Sequence, residues 1–243
     1  MSTFELQAVW LSLQVAVFTV LLSTPPALVL ATVMARTQWR GKLLLDALIL
    51  LPMGLPPVVI GFALLVSLSG DGALGNWLHD LTGFSLSFYP VGAILAASLM
   101  TMPLMVRVLR PALEATDPML LPVARTLGAS RQQAWLTITL PLVWPAVASA
   151  MALGLAAAWG ESGASLVLAA ALSPQQRGDT TAPVALVQAF LNQHNGHATA
   201  WHLALVSLAV ALAAVLTSEW GRLRWRRRWQ TRLRVGHLVS AGR

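Results

Sequence analysis

Val123-Ala124-Arg125-Thr126-Leu127-Gly128-Ala129-Ser130, followed by a helical run into Leu140-Pro141-Leu142, is a polar island between two long apolar stretches. Working outward from it, charge vanishes from Leu6 to Ala35, from Ala47 to Gly70, from Leu81 to Val106 and from Gln132 to Gly160. Each run exceeds the roughly 20 residues that carry a helix across a bilayer. A fifth run, Trp201 to Ser218, just reaches that length. Only 10% of the 243 residues are charged and 56% are hydrophobic, against about 25% charged in a soluble domain. The expected fold is therefore all-α, a single polytopic domain over 1–243 with five spans. The first run is too long, and too lightly flanked by positive charge, for a cleaved signal peptide.

Charge orients the spans. Five crossings collect Arg36, Arg40, Lys42, Arg107, Arg110, Arg125, Arg131 and the tail from Arg222 on one side, which is all but Arg177 of the 16 basic residues. The positive-inside rule makes that side cytoplasmic, with the N-terminus outside and the C-terminus inside. The cytoplasmic parts are then the island, at about 111–136, and a basic tail, at about 221–243. The net charge of +7 follows from membrane-proximal basic residues and calls for no nucleic acid. Trp225-Arg226-Arg227-Arg228-Trp229 reads as an anchor on anionic membrane lipid.

Proline and glycine mark the irregular places. Pro25 and Pro26 lie inside the first span, and Pro56 and Pro57 inside the second, about 44–69. The glycines of Ser69 to Gly75 signal an outside turn. Ser162 to Leu172 is too short to cross, and reads as a continuation of span four broken at Gly160 and Gly163, or as a re-entrant piece. Such backbone survives at membrane depth only when buried in protein or lining a cavity. Span four is expected from near Thr137, with Pro141 at its start, where a missing N–H costs no hydrogen bond. A short helix from about Asp117 to Thr126 should end at Gly128 as a C-terminal cap. Ala124 and Gly128 are small enough for another protein's backbone to approach.

The island resembles the "EAA" loop of bacterial ABC-importer permeases, in which Glu-Ala-Ala-x-x-x-Gly is followed, after about nine residues, by an apolar residue and Leu-Pro. Ala124, Gly128 and Ile138-Thr139-Leu140-Pro141 match; Pro122 and Val123 stand where Glu and Ala are usual. Leu51-Pro52, Leu55-Pro56-Pro57-Val58-Val59, Pro103 to Arg107 and Gly160-Glu161-Ser162-Gly163-Ala164 are similar to the molybdate-type permeases, with Ser162 in place of a phenylalanine. The resemblance implies a membrane subunit that carries molybdate, or tungstate, sulfate or thiosulfate. It works as a homodimer, is driven by cytoplasmic ATP-binding subunits and is supplied by an external substrate-binding protein. The coupling residues would be Pro122, Val123, Ala124, Arg125, Thr126, Leu127, Gly128, Ala129, Ser130 and Pro141.

The residues themselves constrain the chemistry. Lys42 is the sole lysine and no Gly-x-x-x-x-Gly-Lys-Ser/Thr cradle surrounds it, so the chain is not expected to be an enzyme or to bind a nucleotide cofactor. Pro56 and Pro57 have two readings: lining or gating a path at a dimer axis, or a packing kink away from it. Glu161, Ser162 and Gly163 are pathway or gate candidates. A carboxylate repels an oxyanion, however, so the better role for Glu161 is to cap the helix after the break. Asp46 and Arg107 should be interfacial, and Glu219 should pair with Arg222. His79, His194, His197 and His202 lie outside without carboxylate or cysteine at ligand spacing, so no metal is expected. A standalone secondary carrier or channel would show inverted repeats, which are not visible here.

Overall fold

The structure is a computed structural model that describes residues 2–68, 89–170, 180–191 and 196–241, with residues 72, 76 and 80, and side chains as far as residue 221. Every regular element among the described residues is helical. The elements are α1 (Thr3–Arg36), α2 (Lys42–Gly54), α3 (Pro57–Leu68), α4 (Tyr89–Glu114), α5 (Leu120–Thr126), α6 (Arg131–Ala134), α7 (Leu140–Gly160), α8 (Gly163–Ala170), α9 (Ala182–Leu191) and α10 (Gly196–Ala241). A π-helical turn, Trp135–Thr139, joins α6 to α7.

Four helical stretches are long and apolar enough to cross a membrane: Thr3–Arg36, Pro90–Glu114, Arg131–Gly160 and His197–Gly221. The expected second span is different. It divides into α2 and α3, bent by 99°, and makes a fifth crossing only if the bent pair is taken as one. The cause is local. Leu55 precedes a proline and is extended, with φ −87° and ψ 144°, because the proline ring excludes helical backbone from the residue before it. Pro57 then opens α3, where its missing N–H is harmless. The N–H of Leu55 donates to the Leu51 carbonyl (3.2 Å) and that of Val59 to the Pro56 carbonyl (2.9 Å), so the corner keeps its own bonds.

Span four also differs from expectation. It begins at Arg131 rather than Thr137 and runs without interruption for 30 residues. Pro141 keeps its expected place in the first turn of the α-helix Leu140–Gly160, and the helical path extends back from it through the π turn to Arg131. A proline ring clashes with the carbonyl four residues back, and the widened π turn sits immediately ahead of it, where one extra residue per turn relieves that crowding.

Small residues set the packing. Helices in lipid gain little from apolar burial alone and associate by close backbone approach and interhelical hydrogen bonds. Ala16, Ala27, Ala31, Ala93, Ala96 and Ala97 are buried along α1 and α4. The Thr19 hydroxyl donates to the Ile94 carbonyl and the Ser23 hydroxyl to the Ser98 carbonyl, both at 3.4 Å. Between α7 and α10 the exchange is reciprocal: Ser149 Oγ donates to the Ser218 carbonyl (3.1 Å) and Ser218 Oγ to the Ser149 carbonyl (3.0 Å). Larger side chains fill one end, where Met34, Met105, Leu109, Leu113, Val143 and Val147 form one cluster with Ile49 of α2. Arg110 adds ion pairs to Asp46 (3.3 Å) and Glu114 (2.8 Å), tying α4 to α2.

The outside turn at 69–75, Arg177, His79, His194 and the side chains of the basic tail lie outside the described residues, and so does the Glu219–Arg222 pairing. α3 and α8 approach closely: a Cβ on Gly61 would lie 2.7 Å from backbone atoms of Ala164. Gly61→Val is expected to destabilise the protein by about 1–3 kcal/mol through overpacking. Gly54→Ala, where a Cβ meets nothing within 4 Å, should be close to neutral. Thermal unfolding of the two variants in detergent checks the contrast.

Candidate coupling surface and helix break

The island folds as two capped turns. α5 ends in a Schellman arrangement: the Gly128 N–H donates to the Arg125 carbonyl (3.0 Å) and the Ala129 N–H to the Ala124 carbonyl (3.1 Å). Gly128 has φ +93°, a left-handed conformation that suits glycine. Two residues later the chain turns back into helix through a capping box. Ser130 Oγ accepts from the Gln133 N–H (3.2 Å), and Gln133 Oε1 accepts from the Ser130 N–H (3.0 Å). The Ser-x-x-Gln spacing is a readable signature of that box, and sequence reasoning missed it.

What α5 presents is apolar. Leu127 is 84% exposed, Met119 63% and Val123 54%, and the 3.6-residue repeat puts them on one side of the helix. Pro122, Arg125, Thr126 and Gly128 are also exposed, as are Ser130 and Pro141, while Ala129 is half-buried. Ala124 does not fit the expectation. It is 6% exposed, turned into the protein, so its small size serves packing against the neighbouring turn rather than approach by another chain. Open space surrounds the position of a Gly128 Cβ, so that glycine is required by its backbone angle and not by crowding.

At the other end of α7 the second constellation assembles. Glu161 leaves the helix in extended conformation (φ −68°, ψ 117°). Its carboxylate accepts from the N–H of Ala164 (2.8 Å), the N–H of Ser165 (3.2 Å) and the Ser165 hydroxyl (2.6 Å). These bonds satisfy donors that the first turn of α8 otherwise leaves open, and the negative charge meets the positive end of the helix dipole. Gly163 sits against Pro57: a Cβ there would lie 2.5 Å from Pro57 Cβ. The two breaks, over 100 positions apart in sequence, are thus in contact. Pro56 and Pro57 are exposed beside this contact, and Ser162 is half-buried.

One buried carboxylate went unnoticed in the sequence. Glu5, in the first turn of α1, forms a capping box with Ser2 and faces His202 Nδ1 of α10 at 3.2 Å. The Ser-x-x-Glu spacing signals the cap, but nothing local signals the histidine. His197 instead packs edge-on against Phe190, with ring centroids 5.8 Å apart. Among the described residues, no group of three or more His, Cys, Asp or Glu side chains is placed to hold a metal ion.

A helical bundle of membrane-crossing length, with one broken span pinned to a second break and a stiff apolar projection on its basic face, has the makings of a membrane subunit in a larger transport machine. Two solved structures share the fold. A bacterial alginate ABC transporter in complex with an alginate pentasaccharide-bound periplasmic protein superposes with TM-score 0.69 and 20% identity, over 90% of this chain and 78% of that one. A second structure, of a bacterial ABC transporter involved in import of the acidic polysaccharide alginate, also gives 0.69, at 18% identity over 93% of this chain and 80% of that one. Residues 27–220 match the family described as binding-protein-dependent transport system inner membrane component, and the chain belongs to that family.

Among its relatives, the molybdenum transport system permease protein ModB of Escherichia coli (strain K12) is 41% identical over 216 residues, covering 89% of this chain and 93% of that protein. ModB of Haemophilus influenzae is 37% identical over 97% of this chain and all of that protein. A probable sulfate transport system permease protein, cysT of Nephroselmis olivacea, is 33% identical over 86% of this chain and 72% of its own length.

Glu161→Ala is expected to lower stability by about 1 kcal/mol, a typical loss for a helix cap. Glu161→Ser, which keeps a capping oxygen, should retain most of it. Thermal unfolding of the purified variants distinguishes these outcomes.

Proposed function

We propose that the chain is the permease subunit of an ATP-driven importer, works as a homodimer, and carries molybdate inward. The N-terminus lies outside, and the basic face with α5 is cytoplasmic. The observation that carries the reading is the exposed apolar stripe Met119-Val123-Leu127, held between a Schellman turn and a capping box. Apolar side chains at helical spacing fit a groove on a partner protein, and the partner here is the ATP-binding subunit. An external binding protein delivers the anion.

The proposed mechanism is mechanical. The capping box at Ser130 joins the projection to the continuous rod Arg131–Gly160, about 45 Å long at 1.5 Å per residue. Closure of two nucleotide-bound ATPase subunits draws the two projections together and tilts the rods. The far end of each rod is Gly160, next to the Glu161 break and its contact with Pro57, so tilting there moves α8 against the α2–α3 corner. That corner keeps a largely exposed apolar face, including Leu51, Val58 and Phe62, and we assign it to the dimer axis, where its movement opens the path. The permease performs no covalent chemistry.

Molybdate is favoured as cargo because the two relatives named for molybdenum transport align over at least 93% of their own lengths. The sulfate-named relative aligns over 72%. Tungstate, sulfate or thiosulfate is the second reading, and of these only sulfate has a named relative behind it. Uptake of radiolabelled molybdate into vesicles holding this chain, the ATPase subunit and the matching binding protein tests the cargo. Excess sulfate should leave it unchanged, and full competition by sulfate would shift the assignment.

Leu127→Asp places a charge on the stripe at an exposed position. It is expected to reduce uptake by 10-fold or more, the scale of about 1.4 kcal/mol or greater lost from docking, with membrane insertion intact. Uptake and ATPase stimulation at wild-type levels would contradict the docking role.

A further inference from the structure

Behind α5, on the side away from its apolar stripe, lies a cavity of about 880 Å³ between the end of α1, α5 and the start of the α6–α7 rod. Arg36, Arg125 and Arg131 are among the residues that line it, and no Asp or Glu is. The ion pairs found among the described residues join Arg110 to Asp46 and Glu114, and His202 to Glu5; none uses these three arginines. The terminal nitrogens of Arg36 donate to the carbonyl and hydroxyl of Thr116. Its Nε remains buried without a hydrogen-bond partner, and so does the indole Nε1 of Trp135, another lining residue.

Buried N–H donors without acceptors are costly and uncommon, and three cations sharing one cavity repel each other. An anion in the cavity offsets that repulsion, while the two buried N–H groups lie beneath the wall. The remaining wall is apolar, with Val33, Leu121 and Leu136. Val33 continues along α1 into Val29, one turn earlier in the membrane span and 61% exposed. A small hydrated oxyanion would leave that wall unused, whereas an amphiphile would cover it. Tryptophan and arginine are the side chains suited to the headgroup level, and basic clusters there attract anionic lipid. Leu121 and Arg125 face the cavity from the side of α5 opposite Val123 and Leu127, given 3.6 residues per turn. An occupant would therefore not obstruct the stripe.

The geometry points to a binding site for the phosphate headgroup of an anionic phospholipid, seated behind α5 with its acyl chains running along Val33 and Val29. Occupancy of the site requires no ATPase subunit, so it stands apart from the docking role above.

Native mass spectrometry of the purified full chain, exchanged into equal mixtures of phosphatidylglycerol and phosphatidylcholine, tests it. The wild type should retain phosphatidylglycerol preferentially. Arg131→Gln and Arg125→Gln, each verified by thermal unfolding to be folded, should lower that preference, Arg131→Gln by about fivefold, equivalent to about 1 kcal/mol for one basic residue at a membrane surface. Equal retention of the two lipids by the wild type, or a preference unchanged in both variants, would overturn the site. Radiolabelled inorganic phosphate is added to protein in phosphatidylcholine alone as a separate arm. Saturable binding lost in Arg131→Gln, without a phosphatidylglycerol preference, would overturn the lipid as occupant and assign the arginines to a free oxyanion.

Discussion

Backbone N–H and C=O groups in a bilayer must find partners within the protein, and the whole arrangement turns on how this chain meets that constraint at two interruptions. At Leu55-Pro56 the freed groups are few, because proline supplies no N–H and the neighbouring N–H donors bond within the corner. At Glu161 the open donors of α8 are taken by a carboxylate from the break itself. At each interruption nearby N–H donors thus find partners within the break itself, and the two pack on each other through glycine, Gly163 on Pro57 and Gly61 on Ala164. A straight helix in either place would lack the corner that brings them together.

From that contact the architecture extends to the basic face through one element. The rod Arg131–Gly160 contains the π turn and Pro145; its start is fixed by the Ser130–Gln133 capping box, and it ends at Glu161, whose side chain caps the following α8. Hydroxyl–carbonyl bonds to α10 hold its middle. A rod held at its centre and joined directly to the projection at its capped start suits transmission of a small displacement, because packed helices shift between discrete arrangements rather than deforming continuously.

The spans and the island were legible in the sequence because both depend on composition and short-range spacing. Charge-free runs identified four of the long helices, and Gly128 announced its own cap, since a left-handed residue at a helix end is a local property. Pro56 and Pro57 marked the second span as irregular, and the size of its bend, 99°, follows from the steric rule for Leu55, the residue before proline. Pro141 does open the α-helix Leu140–Gly160; the span starts earlier, at Arg131, because the π turn ahead of it has no sequence mark of its own. Ala124 was read as a surface residue since seven residues of helix do not reveal which side meets the protein. Contacts such as Glu5 with His202 and Gly163 with Pro57 are tertiary, and no periodicity reports them.

The central claim is that α5 is a cytoplasmic projection gripped by a nucleotide-hydrolysing partner. The chain contains no cysteine, so Leu127→Cys provides a single thiol at the most exposed point of the stripe. In membranes co-expressing the ATPase subunit, a short thiol cross-linker should join that position to the ATPase, and membrane-impermeant maleimide added to intact cells should leave it unmodified. Labelling of residue 127 from outside, or no cross-link to any ATP-hydrolysing protein, would contradict the account.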